Sequence, residues 1–140
     1  LVIAADTSFY PMAYCSIGTS PDGSSTYFLP RSVGLKKAME LALLCDRFDA
    51  ETAKGYGMVN WVVPKNDLAA ETAKLANRLA SGPTKAYGNT KRLLNNSLHS
   101  TLDDQLQAEA ESFSQCAGSG DFVEGINAFV EKRKARFKGK

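Results

Sequence analysis

Apolar residues recur at helical spacing through most of the chain, and at strand-like spacing only in a few short stretches. Leu1-Val2-Ile3-Ala4-Ala5 is a β-type run with no polar residue or turn ahead of it. It reads as a buried strand entered part-way through a larger fold. From Phe9 to Arg31 Pro, Gly, Ser and aromatics predominate, which predicts loops and short elements. Within that stretch, Pro21-Asp22-Gly23-Ser24-Ser25-Thr26 predicts a turn feeding a short helix that ends before Gly34. Leu35, Ala38, Met39, Ala42 and Leu43 then fall at i, i+3, i+4, i+7 and i+8, one face of a helix.

Further on, Asp49 is placed to cap a short helix that stops near Gly55 and Gly57. Met58–Val63 is a strand candidate closed by Pro64. Asp67 is placed to cap a longer helix with Leu68, Thr72, Leu75, Ala76 and Leu79 on one face, ended by Gly82-Pro83. Pro83 suits the first turn of a helix whose inner face carries Ala86, Thr90, Leu93, Leu94 and Ser97. Thr101-x-x-Asp104 and Asp121-x-x-Glu124 read as capping boxes, followed by Leu102, Leu106, Ala110, Phe113 and by Phe122, Ile126, Phe129, Val130. The expected architecture is α/β and helix-rich: a small α/β portion over residues 1–64 and a helical portion over 65–140, without repeats or a flexible linker.

Composition narrows the class. With 44% hydrophobic, 23% charged and 9% aromatic residues in 140, the chain has the make-up of a globular domain and not of a disordered or low-complexity segment. No apolar run reaches the roughly 18 residues of a membrane span. Leu1–Ala5 lacks the basic flank of a signal peptide, so a cytoplasmic location and no membrane partner are expected. Cys15, Cys45 and Cys116 form no CxxC pair and read as buried free thiols. His99 is the only histidine, which removes a His-based triad or a multi-His metal site, and a surface or capping position is expected for it. No metal is expected.

The net charge of +2 matters less than its placement, because Lys132, Arg133, Lys134, Arg136, Lys138 and Lys140 crowd the last nine residues. A solvated helix end, a phosphate site and a nucleic-acid contact would each give this pattern. The last is disfavoured, since no aromatic platform, zinc motif or helix-turn-helix accompanies the charge.

Four segments carry a resemblance. Ile17-Gly18-Thr19-Ser20-Pro21-Asp22-Gly23 with the helix after it, Leu35-Lys36-Lys37-Ala38-Met39-Glu40-Leu41, Asp49-Ala50-Glu51-Thr52-Ala53 with Gly57-Met58-Val59-Asn60, and Glu124-Gly125 with Ala128–Phe137 stand in the order of the enoyl-CoA hydratase/isomerase (crotonase) family. The chain resembles that family's C-terminal half. The resemblance implies the last part of a crotonase-like β-β-α superhelix with the active-site loop, then a helical region that associates subunits. It implies an acyl-CoA thioester as substrate, coenzyme A entering only as part of it, and a homo-oligomer, trimer or hexamer, built through the helices from about Asp67 onward. The family's two oxyanion-hole amides and its first catalytic glutamate lie in the half not matched, so this chain by itself is expected to be inactive.

The resemblance also bears on the reaction. Family hydratases place their second glutamate where this chain has Tyr14, and a phenol with a pKa near about 10 does not replace a carboxylate that activates water. Asp22, four residues after Gly18, stands where isomerases of the family carry a catalytic aspartate. At a helix N-terminus its ionised form would be favoured, although a plain N-cap role fits the same placement. A dehalogenase branch also uses that aspartate, but with a tryptophan and a histidine where this chain has Tyr14 and Cys15, and is disfavoured.

Double-bond isomerisation by proton transfer through Asp22 is therefore expected. Hydration, or a non-catalytic association fragment, are the alternatives. Tyr14, Ile17, Gly18 and Pro21 match substrate-binding positions, and Tyr10, Tyr27 and Phe28 are further candidates, with core packing favoured for Phe28. Phe129 and Lys132 match positions that contact the nucleotide end of CoA. At i and i+3 they would share one face of the terminal helix.

Overall fold

The computed structural model describes residues 1–140, which divide into two compact units, Leu1–Ala73 and Lys74–Lys140. The first unit holds four short strands, β1 (Ile3–Ala5), β2 (Phe9–Tyr10), β3 (Phe48–Asp49) and β4 (Trp61–Val63). It also holds the helices α1 (Ser25–Val33), α2 (Leu35–Leu44) and α3 (Ala50–Gly55), and the start of α4 (Leu68–Ala80). β1 pairs in parallel with β4, Ile3 opposite Trp61 and Ala5 opposite Val63. β2 pairs antiparallel with β3. Two side chains extend the parallel ladder beyond its strands. The Val2 amide donates to Asn60 Oδ1 at 2.7 Å, and the Lys65 amide donates to Asp6 Oδ1 at 3.0 Å.

Two small clusters make the core of this unit. Ala4, Ala50, Ala53 and Val59 form one, and Leu29, Ala38 and Leu41 the other, with Phe48 and Met58 packed against both. Ala4, Ala50 and Ala53 are small residues, and the Phe48 ring stacks on Tyr10 and meets Tyr56 edge-on, each at 5.7 Å. Asp49 caps α3 by accepting from the Thr52 amide at 2.8 Å, as its position predicts. Gly57, at φ 75°, ends the same helix: its amide donates to the Lys54 carbonyl and the Met58 amide to that of Ala53. This turn takes up Met58–Asn60, so the strand expected over Met58–Val63 shrinks to Trp61–Val63. Asp67 is not a cap either; it closes a single 3-10 turn, Lys65–Asp67, that runs straight into α4.

The second unit holds the rest of α4 with α5 (Thr84–Asn96), α6 (Leu102–Ala117) and α7 (Gly120–Val130). Thr101 caps α6, accepting from the Asp104 amide while its hydroxyl donates to the Asp104 carboxylate at 2.7 Å. Pro83 opens α5, where its missing N–H is no loss. Asn89 of α5 is buried and satisfied locally, accepting from Arg92 and donating to Cys116 Sγ. Phe113 of α6 meets Phe122 of α7 edge-on at 6.2 Å. The three thiols are free and half-buried, less enclosed than expected, and His99 is exposed. No helix is long and apolar enough to cross a membrane.

Candidate active site

The loop between β2 and α1 is shaped by three reversals. Cys15–Ile17 make one 3-10 turn, in which the Tyr14 carbonyl accepts from the amides of Ile17 and Thr19 at 3.1 and 3.2 Å. Gly18 leaves it at φ 78°, a conformation that disfavours any side chain. Gly23 and Ser24, at φ 59° and 66°, then turn the chain sharply into α1.

Asp22 therefore does not cap α1. The helix begins at Ser25 behind Ser24, which offers no side-chain cap, and it is the Asp22 backbone carbonyl that accepts from the Ser25 amide at 3.1 Å and hydroxyl at 2.7 Å. The Asp22 carboxylate is left exposed.

Behind this turn lies an apolar cleft of about 300 Å³, walled by Met12, Cys15, Pro21, Ser25, Leu29 and by Leu35, Ala38, Met39, Ala42 and Leu43 of α2. The α2 face read from periodicity is thus correct as a face, but much of it lines an open cleft: Leu35, Met39 and Leu43 stay exposed, and Ala38 and Leu41 carry the packing. Pro21 and Ser25 line the wall, whereas Asp22, between them in sequence, does not. Among the residues expected to bind substrate, Pro21 lines the cleft while Tyr14, Ile17 and Gly18 do not. Tyr14 is half-buried and Ile17 is exposed. Tyr10, Tyr27 and Phe28 also lie outside the wall. Tyr27 instead carries the Arg31 guanidinium over its ring at 3.7 Å, and Phe28 is half-exposed where core packing was expected. Met12, Cys15 and Met39 carried no sequence signal for this role. No group of three or more His, Cys, Asp or Glu side chains is placed to hold a metal ion.

The loop thus carries an exposed carboxylate at Asp22 between two residues, Pro21 and Ser25, that line an apolar cleft. Such a group can accept or deliver a proton at a substrate whose apolar part occupies the cleft.

The family model for Enoyl-CoA hydratase/isomerase matches residues 1–140. The chain belongs to the enoyl-CoA hydratase/isomerase family. It is 39% identical over its full length to the 1,2-epoxyphenylacetyl-CoA isomerase of Escherichia coli, covering 53% of that protein. It is 34% identical over 135 residues to the crotonyl-CoA hydratase of Syntrophomonas wolfei, covering 52% of it. Its fold matches the enoyl-CoA hydratase subunit I of Geobacillus kaustophilus with a TM-score of 0.96 at 34% identity, over all of this chain and 55% of that one. The chain spans about half the length of the curated relatives it matches, and its fold is the crotonase fold.

Phe129 and Lys132, expected to face the nucleotide end of CoA, fall in the second unit, where two expectations are corrected. α7 ends at Val130, and Lys132 sits beyond it at φ 54°, so Phe129 and Lys132 do not share a helix face. Nor does Asp121 form a capping box with Glu124. Ser119 caps α7 by accepting from the Phe122 amide at 3.2 Å, and the buried Asp121 carboxylate accepts from the backbone amides of Lys138 and Gly139 at 2.7 and 2.8 Å.

Burying a carboxylate is costly unless it is hydrogen-bonded, and each bond to a charged group contributes about 1.5 to 3 kcal/mol. Glu124 accepts from Arg133 and from the Arg136 amide at 2.7 Å. The hydrogen bonds from Arg133 and Arg136 push the Glu124 carboxyl down to about 2. The basic tail is therefore an irregular return tied along α7 and not a helix end.

Proposed function

We propose that this chain, completed to the length of its relatives, is an acyl-CoA isomerase in which Asp22 moves the proton. The observation that carries the reading is the exposed Asp22 on the loop whose Pro21 and Ser25 line the apolar cleft, a loop whose sequence resembles the family's active-site loop. In this reading the apolar part of the acyl group enters the cleft. The carbon next to the thioester carbonyl, acidified by it, loses a proton to Asp22, and Asp22 returns that proton to a different carbon. The enolate oxygen that forms needs backbone donors, worth about 3 to 4 kcal/mol each, which belong to the half this chain does not span. Phe129 and Lys132 serve the adenine and phosphates of CoA, and the protein works as a homo-oligomer, a trimer or hexamer.

Isomerisation is favoured over hydration because Tyr14 stands where a hydratase carries its second glutamate. The likeness to an isomerase of an epoxyphenylacetyl-CoA supports the same direction. Product analysis tests it. Incubating the completed protein with 2-enoyl-CoA, 3-enoyl-CoA and aryl-epoxide CoA thioesters in ¹⁸O water should give shifted double bonds or an isomer of the epoxide without ¹⁸O in the acyl chain. A 3-hydroxyacyl-CoA bearing ¹⁸O as the main product would make it a hydratase.

A further inference from the structure

Asp121 and Glu124 are one helical turn apart on α7, and between them they fix the course of the whole basic tail. Glu124 takes a forked pair from Arg133, Nη1 at 2.6 Å and Nη2 at 2.9 Å, and then the backbone amide of Arg136. Asp121 takes the amides of Lys138 and Gly139, and its own amide donates to the Lys140 carbonyl at 3.0 Å. Between these ties Phe137 turns inward. It lies against Gly125, where an added methyl would come to 3.6 Å of its ring, and it shares an apolar cleft with Pro83, Ala86 and Ile126.

The outcome is a strap that brings Arg133, Lys134, Arg136 and Lys138 to the wall of one cleft together with Ser81 and Glu124. A free peptide with this density of cations would repel itself and spread. Asp121 holds backbone amides alone, whereas Glu124 holds one amide and, together with Glu131, the Arg133 guanidinium, so the like charges brought together in the cleft are mainly those of Lys134, Arg136 and Lys138.

We infer that Asp121 and Glu124 are positioning residues: by strapping residues 133–140 to α7 they arrange the tail cations into a site for the phosphate groups of the acyl-CoA. This rests on the reading of the tail as the CoA-facing end. It predicts an effect opposite in sign to simple electrostatics. Removing a carboxylate beside a cluster of cations should strengthen anion binding if the cations act as loose charges. It should weaken binding if the carboxylate arranges them.

The test compares Glu124→Gln and Asp121→Asn with the parent protein. Affinities for coenzyme A and for pantetheine, which lacks the nucleotide phosphates, are measured by calorimetry, and amide exchange of the tail peptide is followed by mass spectrometry without ligand. In both variants the CoA-to-pantetheine affinity ratio should fall about tenfold and tail exchange should rise at least about tenfold, the scale of one lost charge-assisted hydrogen bond. Glu124, only half-buried, carries the test if the Asp121 variant fails to fold. Variants that bind CoA as tightly as the parent or more tightly, or whose tail exchange is unchanged, overturn the inference. A parent protein that binds CoA no better than pantetheine removes the phosphate reading instead, while the exchange measurement still decides whether the strap exists.

Discussion

The Lys132 amide donates to the Phe129 carbonyl at 3.2 Å while the next amide, Arg133, reaches back to Ala128 at 3.0 Å, so that a lysine occupies the left-handed position of a helix-ending turn. The same pattern ends α3, where the corresponding residue is Gly57. A non-glycine residue in that conformation costs about 1 to 2 kcal/mol.

Two substitutions at Lys132 separate its backbone from its charge. Lys132→Gly should stabilise the fold by up to about 1 kcal/mol, since part of the relieved strain is offset by glycine's freedom when unfolded. Lys132→Ala keeps the strain and should leave the urea midpoint unchanged. Both should raise KM for an acyl-CoA more than they lower kcat, because a remote phosphate contact is made equally in ground and transition states. An unaltered KM would take Lys132 out of CoA recognition.

The tail should resist acid. Glu124 is held down to about 2 from an ordinary 4.5, so its contribution to stability is complete above 4.5 and is lost as pH falls through about 2. Hydrogen exchange of residues 133–140 should therefore stay slow from pH 7 to about 4.5, after correction for intrinsic rates, and accelerate only between that point and about 2. Release of the tail near pH 6 would contradict the pairing with Arg133.

Thr101→Ala should cost about 1 kcal/mol through loss of the α6 cap, a value measurable by urea denaturation. Thr101→Ser should restore most of it. Equal stability of the alanine variant would show that α6 does not need its cap.

Assembly is expected of the helical region. Leu102, Phe113, Phe129 and Val130 are each at least 66% exposed, an amount of apolar surface that a monomer rarely leaves in water. Sedimentation at micromolar concentration should find a homo-oligomer. A monodisperse monomer would speak against association through α6 and α7.

Local signals in the sequence were the ones that could be read. Asp49 and Thr101 cap amides three residues ahead, a distance that capping rules cover, and both were expected. Asp121 has the same local appearance, but its partners Lys138 and Gly139 lie 17 and 18 residues away, where no periodicity reaches. Lysine gives no hint of a positive φ, so the end of α7 at Val130 was invisible, whereas Gly57 advertised the end of α3. The α2 face followed from spacing alone, but spacing does not say whether a face meets a core or an open cleft. Asp22 is a candidate only through the family pattern. The left-handed pair at Gly23 and Ser24, which moves it off the helix, depends on backbone angles that a serine does not signal.

The most direct measurement is the turnover number of Asp22→Asn in the protein completed to its relatives' length. Because the Asp22 carboxylate caps nothing, the substitution touches no helix cap, and both folding and CoA binding should survive. An amide cannot take up the proton, so kcat for isomerisation should fall by about a hundredfold or more, the scale of losing a general base. The 140-residue chain alone should show no turnover in the same assay, since the enolate would lack its donors. Near-normal isomerisation by Asp22→Asn would contradict the account and move the proton transfer to another carboxylate.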